Sequence, residues 1–191
     1  MKHRTFGVEI ECGHRLGLDY VRDLFHSSSF LSRDWRFGYD GSGVEARTPI
    51  LSGPEGFREL KKGMKLLVRN GAYVTNRDGL HVHHGVPELH LNKELAIVLV
   101  ESWAQNKDNL NRLVASRRHA RGACPHWTPE NINRLRNDDS YTNEFTFRGP
   151  RGSLNLHAYM QLKTVELRLH EGTLDAEQAE AWIRFGQRFL N

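Results

Sequence analysis

Four short segments alternate between apolar and charged residues, and this alternation restricts the possible folds more than any other feature of the chain. In TVELRLH (164–170), three aliphatic residues alternate with Glu166, Arg168 and His170. Successive side chains of a strand point to opposite faces of a sheet, so the pattern predicts a strand with one apolar and one polar face. The other three segments of this kind are 5–11, 43–49 and 79–85.

Amphipathic segments between these strands predict helices that can cover the apolar face. A helix is expected from Pro54 to Asn70-Gly71, and others at 18–26, from Asn92 to about Leu113, and after Asp175 as N-cap. These elements predict an α+β fold with a curved, largely antiparallel sheet, helices on one face and an open polar face. The inward stripe of the 54–70 helix is predicted to be Phe57, Leu60, Met64, Leu67 and Val68.

Domain organisation is predicted to be simple. The 191 residues contain no repeat and no low-complexity tract, which favours one domain over 1–191. The stretch 121–143 is rich in Asn, Asp and Arg and contains two prolines, so it is expected to be an irregular loop or lid with one short helix.

Composition narrows the possible partners. A net charge of +4 and a pI of about 9.2 favour an anionic ligand without selecting one. The longest apolar run, LAIVLV (95–100), is too short to span a bilayer, and the first residues do not resemble a signal peptide. We therefore expect a cytoplasmic protein without membrane contact, whose two cysteines form no disulfide framework; a homo-oligomer is left open.

The residue types on the polar faces favour metal and phosphate chemistry. A solvated strand face would also alternate, so alternation alone is compatible with an ordinary outer surface. Glutamate and histidine, however, are ligands for divalent cations, and arginine pairs with phosphate. If the glutamates converge on one face, their mutual repulsion calls for compensation, which magnesium would supply. The glutamates in question are Glu9, Glu11, Glu45 and Glu166.

The ordered motifs GVEIE, GVEARTPIL, GLHVHHG and TVELRLHEGTLD resemble those of the amidoligase family. That family belongs to the superfamily of glutamine synthetase and glutamate–cysteine ligase. The resemblance implies a fold like the glutamine synthetase catalytic domain. It also implies an ATP-dependent ligase that joins a carboxylate to an amine through an acyl phosphate, with two or more Mg²⁺ ions, or Mn²⁺, as cofactors. The substrates would be small molecules or peptides.

The resemblance also implies roles for individual residues. Arg168 would stabilise the transferred phosphoryl group, and His83 would approach the ATP phosphates. Glu45 would act in catalysis as well as in metal binding. Asn155 and Arg151 match a substrate-side motif. The metal ligands would be Glu9, Glu11, Glu45, His81 and Glu166.

The segment 112–121 concentrates arginines, including Arg117 and Arg118. It is interpreted either as a solvated helix end or as a site for ATP phosphates or an acidic acceptor. Two other classes of function stay open. One is a hydrolase that binds zinc or another metal through His81, His83, His90 and His126 with a cysteine. The other is a non-catalytic nucleotide- or nucleic-acid-binding protein, against which the aligned glutamates argue.

Overall fold

The computed structural model describes residues 4–40, 43–89, 92–114, 124–137 and 152–191. These residues form six strands in one open sheet, together with seven α-helices and a 3₁₀ turn at Pro87–Leu89. The predicted α+β class is confirmed, while the likeness to glutamine synthetase stays a prediction. The strands are β1 (Phe6–Cys12), β2 (Arg36–Asp40), β3 (Gly43–Arg47), β4 (Gly79–Gly85), β5 (Leu154–Asn155) and β6 (Thr164–Glu171). The helices are α1 (Gly17–His26), α2 (Gly53–Arg69), α3 (Lys93–Gln105), α4 (Lys107–Leu113), α5 (Pro129–Arg136), α6 (His157–Leu162) and α7 (Ala176–Phe189).

The described residues divide into two compact units. Unit 1 contains those of Met1–Val82 and Glu171–Phe189, and unit 2 contains those of His83–His170. The hydrogen-bonded strand order is β2-β3-β1-β4-β6-β5, and β4 continues from unit 1 into unit 2 after Val82. The β1–β3, β2–β3 and β5–β6 pairs are antiparallel. The organisation of 1–191 as a single domain stays a prediction.

In unit 1, helix α2 packs against the apolar face of β1. Phe57 stacks on Phe6 with ring centroids 4.9 Å apart, and both are buried. Gly63 lets the Trp35 ring approach closely, because a Cβ at that position would lie 2.4 Å from the ring. Helix α7 begins as predicted, since Asp175 Oδ1 accepts a hydrogen bond from the Glu177 amide at 2.8 Å.

Helix α2 ends where the sequence predicts, at a glycine in the left-handed region. Gly71 has φ +85°, and the amides of Gly71 and Ala72 donate to the carbonyls of Val68 and Leu67, which is the Schellman arrangement. The predicted inward stripe is correct except at one position. Val68 is 51% exposed, while Gly56 and Gly63 are buried in its place. The small glycines let α2 rest more closely on the sheet than an aliphatic stripe would.

Unit 2 differs from the prediction in its helices. The segment from Asn92 to Leu113 forms two helices, α3 and α4, because Asn106 ends the first by donating its side-chain amide to the Ser102 carbonyl at 2.8 Å. Within 121–143, residues 124–137 are described and contain α5, which Thr128 and Asn131 cap reciprocally. The rest of that predicted loop lies outside the described residues. The sequence analysis did not identify β2, β5 or α6.

Candidate functional site

Several charged and imidazole side chains on the polar faces of the strands are buried, so these faces are not an ordinary solvated surface. In unit 1, Glu11, Glu45 and His81 are 5%, 7% and 3% exposed, and in unit 2 Glu166 is 3% exposed. Charged side chains are almost never buried to this extent unless they are paired. Their partners therefore define two groups of residues, one in each unit.

The first group, called here the acidic cluster, consists of Glu9, Glu11, Glu45, Arg47 and His81. The antiparallel register of β1 and β3 places Glu11 directly opposite Glu45, and Glu9 opposite Arg47. Like charges directly opposite one another on a sheet face are destabilising. The register of these two strands therefore favours positive charge or hydrogen-bond donors beside Glu11 and Glu45.

His81 lies between two carboxylates of this cluster. Its Nδ1 is 3.3 Å from Glu9 Oε2, and its Nε2 is 3.4 Å from Glu11 Oε1. A neutral imidazole has only one N–H, so it can donate to only one of the two carboxylates. A metal ion at one nitrogen, with the other nitrogen donating to a carboxylate, is a common arrangement of metal-binding histidines. The position of His81 is compatible with that arrangement.

Arg47 pairs with two of the three glutamates of this cluster. Its guanidinium contacts Glu45 Oε1 and lies 3.9 Å from Glu9 Oε1. Glu11 instead accepts a hydrogen bond from the Gly79 amide at 2.5 Å. The named cluster thus holds three carboxylates and one guanidinium. Carboxylate oxygens with one imidazole nitrogen form a donor set that suits Mg²⁺ or Mn²⁺, so the residues fit the implied metal.

The second group, called the Glu166 cluster, lies in unit 2. Asn155 Nδ2 donates to Glu166 Oε2 at 2.6 Å, and Arg168 Nη1 donates to Glu166 Oε1 at 2.5 Å. His83 Nε2 is 3.9 Å from Glu166 Oε1, and its Nδ1 is 3.0 Å from Thr164 Oγ1. Asn155 pairs directly with Glu166 in the β5–β6 register. One carboxylate is therefore matched here by one guanidinium and an amide donor.

Several predicted residues lie outside the described part of the chain. Arg117, Arg118 and Arg151 are among them, and so is His90. Of the remaining predicted site residues, Glu9, Glu11, Glu45 and His81 come together in unit 1. Those that come together in unit 2 are His83, Asn155, Glu166 and Arg168.

The buried thiol of Cys12 is not suited to act as a ligand or nucleophile. Burial, with the nearby Asp78 carboxylate as a smaller cause, raises its pKa to about 12. Metal binding and nucleophilic attack both require the thiolate, which is scarce at neutral pH when the pKa is that high. Asp78 accepts a hydrogen bond from the Thr75 amide at 2.5 Å, as expected of a turn residue.

Sequence reasoning missed a buried hydrogen-bond chain in unit 2. Trp103 Nε1 donates to Ser153 Oγ at 2.9 Å, Ser153 Oγ is 3.2 Å from His126 Nδ1, and His126 Nε2 is 2.8 Å from Asn111 Oδ1. Because Asn111 Oδ1 can only accept, the proton of a neutral His126 lies on Nε2, and Nδ1 accepts from the Ser153 hydroxyl. The Ser153 carbonyl also accepts a hydrogen bond from the backbone amide of Arg168 at 3.0 Å. These side-chain hydrogen bonds therefore help to position β6, which contains Arg168. The four residues are far apart in sequence, and no motif indicates them.

The comparisons with known proteins were consistent with the resemblance described above. A family model described as "putative amidoligase enzyme" matches residues 22–190. The matched range begins within α1, so it does not include Glu9 and Glu11 of β1. None of the curated proteins compared with the chain matches it. No described helix is long and apolar enough to cross a membrane.

Proposed function

This chain belongs to the amidoligase family, and from that premise we propose that it is an ATP- and Mg²⁺-dependent ligase joining a carboxylate to an amine. The observation that best supports this proposal is the convergence of Glu9, Glu11, Glu45 and His81 in unit 1, with Glu11, Glu45 and His81 buried. Carboxylate oxygens gathered around an imidazole are ligands that a divalent cation such as Mg²⁺ or Mn²⁺ prefers. ATP-dependent phosphoryl transfer uses such a cation.

The proposed reaction has two steps. A carboxylate oxygen of the substrate attacks the γ-phosphorus of ATP, the bond from that phosphorus to the bridging oxygen breaks, and ADP leaves. The amine then attacks the acyl carbon of the resulting acyl phosphate, inorganic phosphate leaves, and the amine releases a proton. Activation is needed because a free carboxylate is a poor electrophile.

The acidic cluster is proposed to bind the cation. Glu9, Glu11, Glu45 and His81 would supply ligands, and Mn²⁺ could replace Mg²⁺. When bound, the metal ion would neutralise phosphate charge and orient ATP for in-line transfer. The family resemblance also implies Glu166 as a metal ligand, and its two oxygens accept hydrogen bonds from Asn155 and Arg168.

The Glu166 cluster is proposed to act on the phosphoryl group. The bond from Arg168 Nη1 to Glu166 Oε1 orients the guanidinium, which would donate to a phosphate oxygen as charge develops there. His83 would donate to an ATP phosphate, and Asn155 would orient Glu166 or the substrate. The assignment of Arg117 and Arg118 to ATP and of Arg151 to the substrate stays a prediction.

The proposal is tested by ADP release from Mg-ATP across a panel of amino acids, other carboxylic acids and amines. We expect one carboxylate–amine pair to stimulate release. Glu45→Gln should reduce the stimulated rate at least about 100-fold, since an interaction with the reacting phosphates would be lost. Glu130→Gln, on the exposed surface of α5, is the matched control and should keep the wild-type rate. A normal rate in folded Glu45→Gln protein would contradict the proposed role.

Metal analysis separates the ligase from a zinc hydrolase. We expect purified protein to bind Mg²⁺ or Mn²⁺ reversibly. Tight stoichiometric zinc would favour the hydrolase, although the raised pKa of Cys12 argues against that thiol as a zinc ligand. Salt-sensitive binding of nucleic acid that persists in EDTA would instead favour a nucleic-acid-binding protein.

A further inference from the structure

A tyrosine ring lies at the end of the polar row of β1. By two-residue alternation, Gly13 is the next position of the row that contains Glu9 and Glu11. Gly13 and Tyr73 exchange two backbone hydrogen bonds, at 2.8 and 3.0 Å. A Cβ on Gly13 would lie 2.5 Å from Tyr73 Cζ, so only glycine lets the ring lie over this position.

The turn that follows Gly13 is fixed to the end of α2. Leu16 N donates to His14 Nδ1 at 3.1 Å, which leaves the His14 proton on Nε2 to donate to the Asn70 carbonyl at 2.7 Å. The Tyr20 ring stacks on His14, and its hydroxyl donates to Asn70 Oδ1 at 3.3 Å. These contacts hold the backbone on both sides of Arg15.

Arg15 and Tyr73 border a cavity of about 480 Å³, which Gly71 also lines. Tyr73 is 50% exposed, and Arg15 is exposed as well. Within the described ranges, no carboxylate forms an ion pair with Arg15. The cavity is therefore bordered by the guanidinium of Arg15, by the aromatic ring of Tyr73, and by Gly71, which has no side chain to fill the space.

We propose that this cavity binds the carboxylate substrate, and that this substrate has a second negative charge on an apolar or aromatic body. The inference rests on the proposed ligase function. A guanidinium forms planar, two-bond pairs with carboxylates, so Arg15 would bind the charge that does not react. Tyr73 would pack against the body. Because Gly13 continues the row of Glu9 and Glu11, the reacting carboxylate would be directed along the face that holds the acidic cluster.

The first test compares acids that differ by one charge. ADP release is measured with benzoate against terephthalate and with hexanoate against adipate, in the presence of the amine panel. We expect the dianions to have the lower KM. Arg15→Gln should raise the KM of the dianions about tenfold and leave the values for the monoacids and for ATP unchanged. Arg58→Gln, an exposed arginine of α2 paired with Glu55, is the matched control.

The second test measures binding without turnover. Terephthalate is titrated into the protein without ATP, and the ¹⁵N–¹H signal of the Arg15 Nε is followed by NMR. We expect a saturable shift that is stronger than with benzoate. Tyr73→Ala should lower the affinity for terephthalate more than the affinity for adipate. Tyr73→Phe should bind both acids with the affinity of the wild type.

The outcomes separate the two proposals. Arg15-dependent terephthalate binding without ADP release for any acid would support the cavity and contradict the ligase. ADP release in which Arg15→Gln changes only the KM of ATP would make the cavity a nucleotide subsite and overturn the inference. Terephthalate binding that is absent, or equal in wild type and Arg15→Gln, would also overturn it.

Discussion

The acidic cluster and the Glu166 cluster use similar residue types but differ in charge balance. In the acidic cluster, Glu11 has a backbone amide and an imidazole as neighbours, and Arg47 is shared between Glu9 and Glu45. In the Glu166 cluster, each oxygen of the single carboxylate accepts a hydrogen bond from a side chain of unit 2. The first arrangement gathers three carboxylates around one guanidinium and one imidazole, and the second joins one carboxylate to one guanidinium and one amide.

This difference separates two tasks that the residue types alone would not distinguish. Several carboxylates gathered around an imidazole suit a divalent cation. A carboxylate that already holds an arginine instead fixes the direction of that guanidinium, which suits an anionic ligand such as a phosphoryl group. Substitutions in the two clusters should therefore change different properties of the protein.

The largest effect is expected from Arg168→Gln. Loss of a guanidinium that stabilises charge on the transferred phosphoryl group should lower kcat about 10²–10³-fold, while Mn²⁺ affinity measured by electron paramagnetic resonance should not weaken. The rate is measured as ADP release with the acid and amine identified by the panel. Arg136→Gln, on the surface of α5, is the control. A parallel loss of Mn²⁺ affinity in Arg168→Gln would break the separation between the clusters.

The next effect concerns stability. Glu166→Gln should lower the free energy of unfolding by about 2 kcal/mol without added metal, because the introduced amide has one donor end and both neighbours, Asn155 and Arg168, are donors. Urea unfolding followed by circular dichroism measures this. Glu130→Gln should change it by less than about 0.5 kcal/mol. Unchanged stability would mean that the Glu166 carboxylate is not fixed by those two bonds.

The sequence predicted the residues of both clusters better than it predicted their partners. Alternation alone places Glu9 and Glu11 on one face of β1, because the side-chain period of a strand is two. It could not supply the register that sets Glu11 opposite Glu45, since register depends on how two distant segments pair. β2 was missed because RFGYD has no clear alternation and contains a glycine, and β5 because it is two residues long.

Cys12 offers a further comparison, because its ionisation would add negative charge to unit 1. Its pKa is raised from 9.0 to about 12, so the unfolded chain loses this proton first as pH rises. The stabilisation is complete below pH 9 and is lost between pH 9 and pH 12. The free energy of unfolding should therefore fall by about 1.4 kcal/mol from pH 8 to pH 10 through this group alone. Cys12→Ala should remove that part of the slope, and an unchanged slope would show that Cys12 ionises at its ordinary pH.

The smallest change in stability is expected from Glu11→Gln. Whether this substitution stabilises or destabilises the metal-free protein tests the difference between the two clusters most directly. The introduced amide can accept from the Gly79 amide through its oxygen and donate to His81 Nε2 through its nitrogen, so both contacts are preserved. Removing one of two opposed charges should then leave the metal-free protein unchanged or up to about 1 kcal/mol more stable.

With Mn²⁺ added, the wild type should instead become the more stable of the two proteins. A cation bound by the native state raises the midpoint of thermal unfolding, and this rise should shrink or vanish in Glu11→Gln. Differential scanning calorimetry with and without Mn²⁺ measures both effects on one sample. Destabilisation of metal-free Glu11→Gln by an amount similar to that of Glu166→Gln would mean that the charge of Glu11 is already balanced, and the distinction between the two clusters would be lost.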